Sequence, residues 1–152
     1  METASMLNTN WKLRGLTKGP LTDEEKGQVK LMDEALSKLP RNTKGVTMYR
    51  GMDLDPETAA GLLRKVQQTK IFNDEGFGSF SADREQADMF ANQAGSVPVI
   101  IISRSKEFRN ASRYAPEEFQ DQQEHISPRN TPLRVEKVVK SPEGTVFIHT
   151  NP

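Results

Sequence analysis

Val97-Pro-Val-Ile-Ile-Ile102 is the most apolar run in a chain whose residues are only 34% hydrophobic. A short apolar run of this kind is read as a buried strand, with its proline confined to the start, where a missing N–H costs the ladder least. At 152 residues the chain has the length of one domain and can bury most of the surface its unfolded form exposes. One core is therefore expected in a single domain over 1–152, and this strand belongs to that core and not to any chemistry.

The other elements follow from spacing and punctuation. Thr22-Asp-Glu-Glu25 has the form of a capping box, and Val29, Leu31, Met32, Ala35, Leu36 and Leu39 recur at helical spacing until Pro40, which predicts a helix over 23–39. After a turn at Thr43-Lys-Gly45, Val46-Thr-Met-Tyr-Arg50 reads as a strand bounded by Gly51 and ending in an arginine. Asp55 and Pro56 open a helix over 56–68 with Ala59, Leu62, Leu63 and Val66 as its stripe. Ile71-Phe72 and Phe77-Gly-Ser-Phe-Ser81 are extended pieces interrupted by Asn73-Asp-Glu-Gly76, and Ser81 is placed to cap a helix carrying Ala87, Phe90 and Ala91. Residues 104–121 are polar and irregular, and so long a loop in a compact domain is read as functional. Gln122–Ile126, Leu133–Val139 and Thr145–His149 alternate as strands, the last two joined through Ser141-Pro-Glu-Gly144. Residues 1–21 mix Asn, Lys, Gly and Pro around Trp11 and are expected to form an N-terminal arm, not an element.

Composition excludes several functions. Lys and Arg number 21 and Asp and Glu 21, so no polyanion-binding field covers the surface, and nucleic acid is a disfavoured partner. Without cysteine there is no disulfide, thiolate metal site or cysteine nucleophile. His125 and His149 are too few for zinc, and no metal is expected. No run is long enough to span a membrane. Met1-Glu-Thr-Ala-Ser-Met6 lacks the pattern of a secretory signal, so export would need another route or a larger parent protein. A monomer is expected.

Three segments carry chemistry: Tyr49-Arg50-Gly51, Gly78-Ser79-Phe80-Ser81 and Gln122-Gln123-Glu124. On a strand, Gln122 and Glu124 face one way while Gln123 faces the other. A carboxylate so placed suits binding a ribose hydroxyl and stabilising positive charge at an anomeric carbon. Arg50 supplies a planar fork for phosphate or ribose oxygens. Ser79 and Ser81 share a face, and a strand serine can hold a neighbouring carboxylate without being a nucleophile. Taken singly, the glutamate and arginine segments are better read in bland roles, a solvated strand face and a surface arginine before a turn, and the serines also fit ordinary strand polarity with helix capping.

In this order the residues resemble a mono-ADP-ribosyltransferase of the cholera-toxin-like R-S-E class, over about Leu36 to Val139. Leu36-Ser-Lys-Leu-Pro40 leading into Met48-Tyr-Arg-Gly51 is similar to that family's first helix and arginine strand. Phe77-Gly-Ser-Phe-Ser81, with Ala87 and Phe90 after it, resembles the S-T-S strand and the segment that follows. Phe119-Gln-Asp-Gln122-Gln-Glu124 is similar to the target-recognition loop and catalytic glutamate of Rho-modifying clostridial exoenzymes. Phe80 replaces the threonine of S-T-S, and Glu117 and Glu118 stand where the clostridial enzymes differ, so their protein target is not carried over.

The resemblance implies an α+β, ADP-ribosyltransferase-like fold: two antiparallel-rich sheets forming a cleft, with N-terminal helix or helices packed on one side. It implies NAD as co-substrate, with Tyr49, Arg50, Gly51, Ser79, Phe80, Ser81 and Phe90 as NAD-binding residues. Glu124, Gln122 and Ser79 would be catalytic: Glu124 on the ribose 2′-hydroxyl, Ser79 orienting it, and Gln122 favouring an Asn, Gln or other non-Arg acceptor. Phe119, Glu118 and Tyr114 would recognise the target. A bacterial or phage toxin or effector is implied, delivered to a target cell and acting on a protein acceptor, with an immunity or inhibitor protein as a further partner. An NAD glycohydrolase and a catalytically silent module of the same fold are the alternatives.

Overall fold

The apolar run is a strand hydrogen-bonded on both sides, antiparallel to Met48–Leu54 and parallel to Val146–Asn151. The computed structural model describes residues 4–92, 96–114 and 124–151, the side chains of 4–7, 114 and 151 excepted. In chain order the elements are α1 (Ala4–Leu13), α2 (Asp23–Ser37), β1 (Met48–Leu54), α3 (Pro56–Thr69), β2 (Ile71–Phe72), β3 (Gly78–Phe80), α4 (Arg84–Ala91), β4 (Val97–Ser103), β5 (Arg109–Asn110), β6 (His125–Ser127), β7 (Leu133–Lys140) and β8 (Val146–Asn151). A five-stranded sheet runs β1-β4-β8-β7-β2, and a three-stranded antiparallel sheet runs β3-β6-β5. The fold is α+β, as expected.

Both faces of β4 are covered. Val99 and Ile101 join Met48, Val66, Phe80 and Phe108 in the largest core cluster, while Ile100, on the opposite face, packs with Ala87 and Ala91 of α4. Phe80 and Phe108 stack with centroids 4.3 Å apart, so the position taken by threonine in the S-T-S pattern is filled here by a core aromatic. A third cluster, Val29, Leu36 and Leu39 with Phe77, Ala111 and Ile126, fixes α2 against the smaller sheet.

The capping box at α2 forms as expected: Glu25 N–H donates to Thr22 Oγ1 at 3.1 Å, and Thr22 N–H to Glu25 Oε1 at 2.9 Å. Asp55 caps α3 through Thr58 N–H. Five expectations need correction. The strand expected over Gln122–Ile126 is β6 at His125–Ser127, with Glu124 just before it and 122–123 outside the described residues. Residues 4–13 are a helix and not part of an arm, docked among the described side chains through buried polar groups as well as through Leu13. Its Thr9 and Asn10 are fully buried; Thr9 Oγ1 donates to Gln28 Oε1 at 2.6 Å, and Lys12 Nζ to Glu25 Oε1 at 2.7 Å. Strand β1 does not end at Arg50 but runs through Gly51 to Leu54, paired with β4 throughout. Helix α4 is capped by Asp83, not Ser81, whose Oγ instead accepts Asp83 N–H at 3.0 Å. Within 104–121, residues 109–110 form β5 and Ser112–Tyr114 a 3-10 turn.

Glu25 joins two helices, since its carboxylate takes Lys12 of α1 while completing the cap of α2. The hydrogen bond from Lys12, with that from the Thr22 backbone, holds its carboxyl at about 2 against an ordinary 4.5. A carboxyl lowered in the folded state contributes stability above its unfolded value and loses it as pH falls through the folded one. Glu25→Gln is therefore expected to lower the melting temperature at neutral pH, and the gap to wild type to close between about pH 4.5 and pH 2. Thermal melts across that range check it.

Candidate active site

Alternation divides β1 between two environments. Met48, Met52 and Leu54 face the main core with Phe72 and Phe80, and Arg50 projects on their side. Tyr49 packs on the other side with Ala87 and Ala91. Gly51 shares that side, and α4 comes so close that a β-carbon there would stand 1.7 Å from the Ala87 carbonyl oxygen. Gly51 is a packing necessity that brings α4 onto the arginine strand.

β1 is an edge strand of the larger sheet. Its outer edge meets the end of β3 in one bridge, where Tyr49 N–H donates to Ser81 O at 2.7 Å and Ser81 N–H to Tyr49 O at 2.9 Å. Among the described residues β1 and β3 form no other ladder pair with each other, and between them lies a cavity of about 440 Å³. Tyr49, Arg50 and Gly51 line it from β1, and Ser79, Phe80 and Ser81 from β3 and its end. Phe90 lines it from α4, and Glu124 from the residue before β6. Ser79 pairs with Ile126 and Phe80 with His125. Glu124 is the residue just before that last pair. Its carbonyl accepts Ala111 N–H at 2.9 Å, anchoring the backbone there. Gln122, Phe119 and Glu118 lie outside the described residues, as does the Tyr114 side chain; the Tyr114 backbone closes the 3-10 turn.

The structure adds residues that sequence reasoning missed. Arg14, just past α1, and Gln86 of α4 also line the cavity. Arg14 Nε and Nη2 bind Asp74 Oδ1 and Oδ2 at 2.8 and 2.9 Å, and Arg50 Nη1 binds the same Oδ2 at 2.5 Å. Burial alone pushes the Asp74 carboxyl up; the charges and hydrogen bonds of Arg50 and Arg14 outweigh it and hold the group well below the usual carboxylate range. Asn10 braces this corner, its amide donating to Phe77 O at 2.9 Å and accepting Phe77 N–H at 2.7 Å. The one local signal was Asn10 and Arg14 at helical i, i+4 spacing. Asp74 lay in a segment read as an interruption. A second cavity of about 370 Å³ shares Arg14 and Arg50 with the first and is walled by Met52, Leu54, Leu62 and Phe72. Among the described residues no three His, Cys, Asp or Glu gather to hold a metal ion.

Two sheets splayed from one bridge thus frame a gap lined by an arginine, two serines and a glutamate. The chain belongs to the ADP-ribosyltransferase exoenzyme family, whose profile matches residues 3–148. Its fold is similar to that of Vis toxin from Vibrio splendidus, with TM-score 0.74 and 17% identity over 97% of this chain and 67% of that one. Exoenzyme S from Pseudomonas aeruginosa, solved with human 14-3-3 protein beta and carba-NAD, gives TM-score 0.72 and 16% identity over 97% and 67%. C3stau2 from S. aureus, solved with NAD, gives 0.58 and 21% over 93% and 78%. No curated protein sequence matches the chain.

Gly51→Ala tests the packing on which the cleft is built. An inserted methyl that cannot clear the α4 backbone is expected to cost about 3 kcal/mol or more and lower the melting temperature by roughly 6–12 °C. An unchanged melt refutes the close approach.

Proposed function

We propose that this protein binds NAD in the cleft and transfers its ADP-ribose to a protein side chain, acting as a bacterial or phage effector. The observation that carries the reading is that Arg50, Ser79 and Glu124, from three separate segments, line one cavity. In this reading the pyrophosphate lies over the Arg50 and Arg14 guanidiniums, which match phosphate oxygens in geometry and charge. Arg14 and Arg50 line both cavities, and in this reading the nicotinamide riboside lies in the first, beside Glu124, and the adenosine half in the second.

Glu124 accepts a hydroxyl of the nicotinamide ribose, while Ser79 and Ser81 hold its carboxylate from the neighbouring strand. Phe90, more than half exposed at 52%, covers the nicotinamide ring. The bond between C1′ and the pyridinium nitrogen breaks, its electron pair leaves with neutral nicotinamide, and an oxocarbenium ion remains beside the Glu124 charge. An acceptor side chain, oriented by Gln122, then attacks C1′ and loses a proton. Rate comes from charge placement and positioning, with no covalent adduct to the enzyme. A carboxamide at 122 orients a neutral acceptor but cannot take its proton as a base, which favours Asn, Gln or another non-guanidinium group.

Glu124→Ala is expected to reduce nicotinamide release from NAD by at least about a hundredfold while the melt stays cooperative. Chromatographic assay of nicotinamide beside a thermal melt checks both, and full activity in the variant removes Glu124 from the centre. Labelled NAD with a cell lysate separates transfer from hydrolysis: a labelled protein, located by mass spectrometry on a non-arginine side chain, is the expected result. Free ADP-ribose alone would make the protein a glycohydrolase.

A further inference from the structure

We propose that Asp74 is a positioning residue of the cleft, one whose negative charge holds the Arg50 and Arg14 guanidiniums in the geometry that receives the dinucleotide phosphates. The inference rests on the NAD reading above and names the group that prepares its phosphate site.

Asp74 is not available as a ligand group itself. Its carboxylate accepts four hydrogen bonds: Arg14 Nε and the Gly76 N–H on Oδ1, each at 2.8 Å, and Arg14 Nη2 and Arg50 Nη1 on Oδ2. Four such bonds fill the acceptor positions of a carboxylate. Its side chain is only 8% exposed, and its backbone carbonyl is tied by Asn130 N–H at 2.9 Å. A carboxylate anchored so completely fixes what it touches.

The arginines it touches are fixed from other directions too. A β-carbon on Gly78 would come within 2.4 Å of Arg50 Nη1, so the missing side chain at 78 is the space the guanidinium fills. Arg14 Nη2 also donates to Phe77 O at 2.6 Å. Long arginine side chains carry considerable rotamer freedom, and a ligand that must order them loses affinity accordingly. The arrangement has that ordering already in place. Within the cluster itself two guanidiniums face one carboxylate, so both cations are held side by side where a phosphate could engage them.

The arrangement also explains why α1 is part of the site. Arg14 comes from the end of α1 and Asp74 from the loop before β3, 60 residues away in sequence. The carboxylate thus couples docking of the N-terminal helix to the placement of the strand arginine.

The test is Asp74→Asn, nearly identical in shape but neutral, measured by initial rates of nicotinamide release, NAD calorimetry and a thermal melt. In folded variant the KM and Kd for NAD are expected to rise about tenfold, equivalent to ~1.4 kcal/mol, with kcat within about threefold of wild type. A merely structural carboxylate would lower the melting temperature and the active fraction but leave KM unchanged. Asp74→Glu retains the charge while displacing it by one methylene; it is expected to raise KM less than Asp74→Asn, and it stands in for that variant, with KM still raised, if the neutral one does not fold. Wild-type KM in a folded Asp74→Asn, or in Asp74→Glu when only that variant folds, overturns the assignment. So does tighter NAD binding, which would make Asp74 a competitor of the phosphates. Wild-type protein that neither binds NAD nor releases nicotinamide overturns the NAD reading and this inference together, whereas active wild type with an indifferent Asp74 overturns this inference alone.

Discussion

A single backbone bridge, Tyr49 to Ser81, joins the two sheets at the cleft. Two hydrogen bonds are a small energy by themselves, each contributing about 1 kcal/mol net, yet their position governs everything around them. Arg50 follows the bridged residue on one strand, and Ser79 precedes it by two on the other. The strands touch there and nowhere else in ladder pairing among the described residues, so the gap opens beside main chain tied at that one point. A cleft opened between an edge strand and a second sheet turns an exposed strand edge, ordinarily a hazard for association, into the wall of a cavity.

The site is supported from two sides by different physics. On the α4 side the support is close packing: Gly51 admits the helix backbone, and Ala87, Ala91 and Ile100 seal the contact. On the α1 side it is polar and ionic, through Asn10, Arg14 and Asp74. A buried ion pair is weak evidence for stability, because desolvation offsets much of the attraction. The cluster of two cations on one anion lies at the cavity walls, where its geometry matters more than its contribution to stability.

Much of the fold was legible in the chain because its signals are local. The capping box, Asp55-Pro56, the apolar run at 97–102 and the alternating C-terminal segments each announce an element through neighbours a few residues apart. The strand arginine, the serine strand and the glutamate were legible for the same reason, as short segments in a fixed order. Helix α1 was not, because it buries Thr9 and Asn10 where an amphipathic helix would bury leucines. The end of β1 was misplaced because Gly51, ordinarily a breaker, is used for close approach in mid-strand.

Sequence by itself determined which chemical groups the protein has and which of them ride on strands, since those properties depend on residue type and on periods of two and 3.6. Only the tertiary structure decided that Arg50 shares its carboxylate with Arg14, that Gly78 makes room for a guanidinium, and that Asp74 lines the second cavity. Those relations join residues tens of positions apart through hydrogen bonds and empty space, and neither leaves a periodic trace in the chain.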